Sequence, residues 1–222
     1  DVGIGVLFGL ENYKYDFVGL MMHAEHLEAR FGVGPHTISV PRIRPADDID
    51  PEDFDNSISD DIFAKIVACI RIATPYTGMI ISTRESKETR EKVLELGISQ
   101  ISGGSKTSVG GYSEDLIKSG SQGSEQFDTS DQRSLDEIVD RLISMGHIPS
   151  FCTACYRKGR TGDRFMSLVK AGEIGNICLP NALMTLQEYL CDYAKDETRK
   201  DGEKIIEKML PDIGNEKTRA NT

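Results

Sequence analysis

Three cysteines in the last third of the chain have the spacing of ligands to a metal or a cluster. Cys152 and Cys155 form a Cys-x-x-Cys pair within "FCTACYRKG", and Cys178 follows after 22 intervening residues. Thiolates bind zinc and the irons of iron–sulfur clusters, and a Cys-x-x-Cys pair can also carry a redox disulfide. The segment therefore predicts metal, cluster or redox chemistry.

The spacing alone leaves three kinds of site open. A structural zinc site needs four ligands and would take Cys191 or His147 as the fourth. A thioredoxin-like pair is disfavoured, because no strand–Cys-x-x-Cys–helix context surrounds the motif. Three thiolates without a fourth fit a [4Fe–4S] cluster whose open iron can bind a substrate or a further metal. Cys69 and Cys191 lie on apolar helical stripes, and we expect both in the core.

Two histidines lie on the helix predicted after the first strand. His23 falls at the edge of the buried stripe, whereas His26 points well away from it. A histidine at such an edge is commonly a hydrogen-bonded boundary residue. We place His23 in the early turns of the helix, from where a neutral imidazole could also reach a metal. The residues alone leave both interpretations open.

Basic and hydroxyl side chains follow the predicted strands. Arg42 and Arg44 lie in "PRIRPA", Arg84 lies in "STRE", and Ser102 begins a glycine-rich loop. A single arginine at a strand end often forms a structural ion pair. Several arginines around one mouth in an acidic protein instead indicate a clamp for a carboxylate or another anion, since guanidinium binds such groups through a bidentate fork.

Four strand–helix units in succession must position these residues. Such units give a parallel sheet, because each crossover helix returns the chain to the same edge. We predict an α/β fold that forms the C-terminal half of a (β/α)8 barrel, with its chemistry on the loops after the strands. The first helix is expected to be capped by Asp16. The predicted strand runs are 2–10, 36–46, 78–85 and 98–105.

The alternation stops near residue 147, where cysteine-bearing loops and helices begin. We therefore predict a half-barrel domain over 1–146 and a small, mainly helical cluster domain over 147–222. The chain opens directly on an apolar run, so we expect it to begin within a domain.

Composition narrows the class of protein. The 222 residues include 38% hydrophobic and 28% charged residues, which is typical of a globular protein, and the net charge is −10. That acidity disfavours nucleic-acid binding. No apolar run approaches the roughly 20 residues of a membrane span. Five cysteines without a secretion signal indicate the reducing cytoplasm.

Several motifs together resemble one enzyme family. "GVLFGL", "SVPRIRPA", "ISTRE" and "SGGSKTSVGGY" are similar to the second half of the radical S-adenosylmethionine barrel of the tyrosine lyases. One branch of that family serves thiamine synthesis and another matures [FeFe]-hydrogenases. The maturase branch alone carries C-x2-C-x22-C after the barrel, and "CTACYRKGRTGDRFM" is similar to it. The resemblance covers essentially all of the chain.

The resemblance implies a radical C–C lyase. A cluster in the N-terminal half of such proteins cleaves S-adenosylmethionine to a 5′-deoxyadenosyl radical, which breaks the Cα–Cβ bond of tyrosine. The products are p-cresol and dehydroglycine, and the latter yields CO and cyanide at an auxiliary cluster for assembly of the hydrogenase H-cluster. The implied partners are tyrosine, S-adenosylmethionine and other hydrogenase maturation proteins.

The resemblance also implies roles for the metal-binding residues. Cys152, Cys155 and Cys178 would hold the auxiliary [4Fe–4S] cluster, and His23 would bind a labile fifth iron attached to it. Among the strand-end residues, it implies that Arg84 and Ser102 grip the tyrosine carboxylate. Arg42 and Arg44 would shape the S-adenosylmethionine or substrate pocket.

One departure from the family bears on activity. The C-x3-C-x2-C motif that holds the radical-generating [4Fe–4S] cluster is absent from the sequence. We therefore expect that the N-terminal half of the protein is missing and that this chain alone is inactive. We also expect it to be unstable without that half, since half a barrel exposes strand edges. The alternative is a non-catalytic iron–sulfur or zinc-binding module.

Overall fold

A computed structural model describes residues 2–46, 49–107, 112, 129–151 and 162–222 of the chain. The chain divides into two compact units, Asp1–Gln132 and Arg133–Thr222. The first is a parallel sheet with helices, and the second contains helices and connecting loops but no strand among the residues described.

The N-terminal unit contains a four-stranded parallel sheet in the order β1-β2-β3-β4. Its strands are β1 (Gly3–Gly5), β2 (Thr37–Ser39), β3 (Gly78–Ile81) and β4 (Gln100–Ile101). Ile38 of β2 pairs with Ile4 on one side and with Met79 on the other, which fixes the register of the first three strands. The predicted parallel sheet is confirmed, although each strand is shorter than its apolar run.

Three helices follow the first three strands: α1 (Tyr13–Phe31), α2 (Asp60–Ala73) and α3 (Lys87–Leu94). The predicted cap of α1 at Asp16 is wrong. The side chain of Asn12 accepts the hydrogen bond of the Lys14 backbone N–H, and Asp16 lies within the first turn. Asn12 takes this role because its short amide reaches the unpaired N–H groups that open a helix.

The core of this unit lies between the sheet and its helices. Its fully buried members include Phe8, Ile38, Phe63, Ile70, Met79 and Ile81. The prediction that Cys69 belongs to this core is wrong, because Cys69 is exposed. Helix α2 buries the face that carries Phe63, Val67 and Ile70, and that face turns Cys69 toward the outside.

The C-terminal unit consists of five α-helices in its described residues. They are α4 (Leu135–Ser144), α5 (Gly162–Lys170), α6 (Gly175–Asp192), α7 (Asp196–Met209) and α8 (Glu216–Asn221). Helices α4, α6 and α7 share an apolar core that includes Val139, Leu186, Leu190 and Ile205. Helix α4 therefore packs with the C-terminal helices, although the predicted domain boundary near residue 147 places it with the barrel. The assignment of functional domains to 1–146 and 147–222 stays a prediction.

Helix α6 also corrects the second cysteine prediction. Cys191 is exposed rather than buried, and the Gln187 side-chain amide donates a hydrogen bond to its sulfur at 3.3 Å. The buried face of α6 runs through Leu183, Leu186 and Leu190, one residue away from Cys191. Among the described residues, no helix combines the length and the apolar character that crossing a membrane requires.

Candidate functional site

A buried ion pair joins the C-terminal ends of β2 and β3. Arg42 Nε lies 3.0 and 2.9 Å from the two carboxylate oxygens of Glu85, and Arg42 Nη2 lies 2.6 Å from one of them. The two residues are only 3% and 1% exposed. The guanidinium also lies over the ring of Phe63, 4.6 Å from its centroid. These contacts hold the Arg42 guanidinium between the ends of β2 and β3.

Asp60 and Arg44 complete this cluster. Arg42 donates further hydrogen bonds to the Asp60 carboxylate and to the Ile58 carbonyl oxygen, while Arg44 donates to Glu85. The hydrogen bond from Arg42 is the main reason that the pKa of Asp60 lies below its ordinary value. The positive charges of two guanidinium groups are therefore balanced by the negative charges of two carboxylates.

The two arginines of this cluster differ in their exposure and in their hydrogen-bond partners. The donors of Arg42 are directed at Glu85, Asp60 and the Ile58 carbonyl, which matches the ion-pair interpretation. Arg44 is more exposed, and its buried Nε meets no acceptor within the described part of the chain. Contact of either residue with S-adenosylmethionine or substrate stays a prediction.

Arg84 and Ser102 lie after neighbouring strands. The Arg84 backbone N–H donates to the Ser82 hydroxyl at 3.3 Å, and burial lowers the pKa of the half-buried Arg84 guanidinium, with Glu85 opposing the shift. The Ser102 N–H donates to the Ile81 carbonyl at 3.1 Å, so the pairing of β3 with β4 extends to Ser102. Both residues therefore belong to the same edge of the sheet, as the sequence predicts.

A second buried ion pair supports this edge and was missed by the sequence analysis. Arg90 of α3 pairs with Asp131 and also donates to the Ser102 carbonyl oxygen. The Asp131 backbone N–H donates to the Thr83 carbonyl at 3.1 Å. The available signal was that Arg90 shares a helical face with the apolar Val93, where a charged side chain needs a buried partner.

His23 lies near the middle of α1 rather than in its early turns, which corrects the predicted position. Its side chain is exposed, and the neighbouring residues Leu20 and Ala24 supply the buried face of the helix. The imidazole is thus presented outside the core of this unit. The structure describes no ligand role for it, and that role stays a prediction.

The third cysteine begins the longest helix of the C-terminal unit. Cys178 is exposed in the first turn of α6, where its backbone N–H donates to the Ile174 carbonyl at 2.8 Å. Cys152 and Cys155 lie outside the described residues, within which no group of three His, Cys, Asp or Glu side chains could hold a metal. Three thiols are suitable ligands for an iron–sulfur cluster or for zinc. Cys178, which the structure describes, is exposed instead of packed in the core.

The residue directly before the Cys-x-x-Cys pair is anchored on α6. The Phe151 ring stacks on Tyr189, with 4.7 Å between centroids and 15° between planes. The Phe151 backbone N–H donates to the Thr185 hydroxyl at 3.3 Å. The Tyr189 hydroxyl donates to Asp136 at 3.0 Å, and burial together with this bond raises the pKa of Tyr189 to about 12. No local sequence pattern indicates this stacking.

Known proteins resemble this chain both in sequence and in structure. The Biotin and Thiamin Synthesis associated domain matches residues 39–148. The chain is 30% identical over 151 residues to 2-iminoacetate synthase from Escherichia coli strain K12, and 28% identical over 151 residues to that from Salmonella typhimurium. Each match covers 67% of this chain and 38% of the relative.

Two solved structures match the full chain. A structure of HydG, a maturase of the [FeFe]-hydrogenase, has a TM-score of 0.92 and 53% sequence identity. HydG from Carboxydothermus hydrogenoformans has a TM-score of 0.74 and 39% identity. Each covers all of this chain, which spans 47% and 46% of the respective HydG chains. The resemblance drawn from the sequence is thereby confirmed: the chain is related to the [FeFe]-hydrogenase maturase HydG along all of its residues, and to 2-iminoacetate synthase along about two thirds of them.

Proposed function

We propose that this chain is the C-terminal part of a radical S-adenosylmethionine tyrosine lyase of the hydrogenase-maturase type. The complete protein would cleave tyrosine to p-cresol and dehydroglycine and convert the latter to CO and cyanide for assembly of the hydrogenase H-cluster. The observation that carries the proposal is the match to HydG over 100% of the chain, cysteine segment included. The match to the Biotin and Thiamin Synthesis associated domain, by contrast, ends at residue 148 and does not include these cysteines.

The C-terminal unit would hold an auxiliary [4Fe–4S] cluster through Cys152, Cys155 and Cys178. When bound, a cluster held by three thiolates supplies one open iron at which a small fragment or a further metal can bind. Cys178 contributes a thiol fixed by the first turn of a long helix. His23 would supply a neutral imidazole to a labile fifth iron, and its exposure on α1 supports that role.

The strand ends of the N-terminal unit would bind the substrate. Arg84 and Ser102 follow adjacent strands and would orient the tyrosine carboxylate through a charge-assisted hydrogen bond and a hydroxyl. The buried Arg42–Glu85 pair would keep the loop after β2 in place. Arg44 would shape the pocket for S-adenosylmethionine or substrate. Its buried Nε has no acceptor among the described residues.

The radical-generating chemistry would come from outside this chain. The C-x3-C-x2-C motif expected for the first [4Fe–4S] cluster and for S-adenosylmethionine is not in the sequence. We expect the chain alone to be inactive as a lyase and the activity to need a segment that carries this motif.

A chimera tests the proposal. The chain is joined to the N-terminal part of HydG from Carboxydothermus hydrogenoformans, reconstituted without oxygen and given tyrosine and S-adenosylmethionine. The proposal expects p-cresol, CO and cyanide from the chimera and none of them from the unjoined chain. A folded, cluster-loaded chimera that forms p-cresol but neither CO nor cyanide would contradict the maturase assignment.

One observation favours a second candidate function. The exposed thiol of Cys178 would also suit a non-catalytic module that stores an iron–sulfur cluster or zinc, or docks a partner. That candidate predicts metal uptake by the chain but no p-cresol from the loaded chimera.

A further inference from the structure

We infer that Arg90 and Asp131 are positioning residues for the tyrosine carboxylate. Their buried ion pair fixes the backbone beside Arg84 and at Ser102. The inference rests on the proposed function, in which Arg84 and Ser102 bind that carboxylate. The ion pair would hold these two residues at a set spacing before tyrosine binds.

The first step is a ring of hydrogen bonds that the ion pair closes across two strand ends. Arg90 of α3 donates to the Asp131 carboxylate through Nη1 and to the Ser102 carbonyl oxygen through Nη2. The Asp131 backbone N–H donates to the Thr83 carbonyl at 3.1 Å. The Ser102 N–H donates to the Ile81 carbonyl, also at 3.1 Å. Because Ile81 ends β3 and Thr83 follows two residues later, the ring ties the end of β3 to Ser102.

The second step concerns Arg84, which directly follows a member of this ring. Its neighbour Thr83 is 2% exposed, and the Thr83 carbonyl is held by Asp131. Its other neighbour, Glu85, is 1% exposed, and the Glu85 carboxylate is held by Arg42. The backbone that carries Arg84 is therefore fixed on both sides, while Arg84 itself is only half-buried.

The third step concerns Ser102, whose two backbone groups both belong to the ring. Its N–H is used by Ile81 and its carbonyl oxygen by Arg90. The ring does not involve the hydroxyl of Ser102. The ion pair thus fixes the position of this residue and leaves its side chain for the substrate.

The fourth step is that the link between the two strand ends is rigid. Arg90 is fully buried, and Asp131 is 3% exposed. A guanidinium is planar, and its two terminal nitrogens have a fixed separation, so the distance between its two acceptors is fixed as well. Groups that are held in place before a ligand arrives bind it more tightly, because less conformational freedom is lost on binding.

The test measures the KM for tyrosine in p-cresol formation by the loaded chimera. Arg90→Lys keeps the charge that Asp131 requires, but one ammonium group cannot hold both acceptors in the geometry of a guanidinium. The KM for tyrosine should rise about 10-fold, with a smaller change in kcat. The KM for S-adenosylmethionine should stay at the wild-type value, whereas a general loosening of the sheet would raise both constants.

Arg71→Lys is the matched control. Arg71 likewise joins two segments through its guanidinium, since it donates to the carbonyl oxygens of Thr77 and Gly97, but it does so at the opposite edge of the sheet. This variant should keep the wild-type KM for tyrosine. Far-ultraviolet circular dichroism shows whether each variant is folded.

Hydrogen exchange on the unmodified chimera provides a measurement that needs no variant to fold. If the ion pair positions the site before binding, the amides of Ser102 and Asp131 should exchange slowly without tyrosine and gain little protection when it is added. Fast exchange that becomes slow only with tyrosine would overturn the positioning role.

The kinetic outcomes separate this inference from the proposed function. A folded Arg90→Lys chimera with the wild-type KM for tyrosine would show that the positioning role is wrong, while the proposed function would stand. A wild-type chimera that is loaded with its clusters and forms no p-cresol would overturn both.

Discussion

Arg42 and Glu85 form a buried pair across two neighbouring strand ends, with Arg42 Nε within 3.0 Å of both carboxylate oxygens. Because Arg44 shares the same carboxylate, one buried glutamate fixes two guanidinium groups. The strand-end loop that would face the substrate is thus organised by Glu85, a residue that need not touch any ligand itself.

Replacing Glu85 by glutamine should strongly destabilise the N-terminal unit. The variant leaves the buried Arg42 charge without its main partner, and breaking such a pair costs about 3–5 kcal/mol. Hydrogen exchange at the amides of Ile38 and Met79, which lie in β2 and β3, measures the loss. Glu88→Gln is the control, since Glu88 is exposed and 4.0 Å from Lys87. Equal exchange in the two variants would show that the pair contributes no net stability.

Asp60 should make the stability of this unit sensitive to acid. Arg42 holds the pKa of Asp60 below its ordinary 3.8 in the folded chain. A lowered folded pKa means that the stabilisation is complete above 3.8 and is lost as the pH falls through the folded value. Urea unfolding of the wild type and Asp60→Asn should therefore differ at pH 7 and converge below pH 3.8. A difference that persists unchanged at lower pH would exclude this linkage.

Much of the fold could be predicted from local signals. The apolar runs and the helices between them indicated a parallel sheet, and Ser59 and Ser86 cap α2 and α3 through their side chains. The same signals did not give the rotation of each helix. The apolar stripe that was predicted to include Cys69 lies beside the face of α2 that packs into the core. A helix with apolar residues on several faces has more than one possible buried side.

The candidate site was predictable in residue type but not in contacts. The arginines after the strands could be found because loops at the C-terminal edge of a parallel sheet meet there. Their carboxylate partners could not, because Arg42 and Glu85 are separated by 43 positions and no local pattern links them. The stack of Phe151 on Tyr189 was missed for the same reason.

Arg84→Lys should weaken tyrosine binding in the loaded chimera. Lysine keeps the charge but loses the bidentate fork, which corresponds to about 1.5–3 kcal/mol for a hydrogen bond to a charged group. The KM for tyrosine in p-cresol formation should rise by about 10- to 100-fold, with a smaller change in kcat. Arg71→Lys is the control, since Arg71 donates to the carbonyl oxygens of Thr77 and Gly97, at the opposite edge of the sheet. An unchanged KM in Arg84→Lys would remove Arg84 from the carboxylate site.

His23→Ala should separate the two halves of the proposed reaction. The proposed function places tyrosine cleavage away from the fifth iron, so p-cresol release should persist in the chimera. CO and cyanide should be lost or strongly reduced. His26→Ala is the matched control, because His26 is also exposed on α1, three residues away. If His23→Ala forms all three products at wild-type rates, His23 is a boundary histidine and not a ligand.

The central claim is that three cysteines hold an iron–sulfur cluster, and metal analysis of the reconstituted chain tests it most directly. We expect broad absorbance at about 400 nm and about four irons per chain. Both should be lost in Cys152→Ser, Cys155→Ser and Cys178→Ser but kept in Cys69→Ser and Cys191→Ser. One zinc per chain without colour, or loss of the metal in Cys191→Ser, would contradict the account.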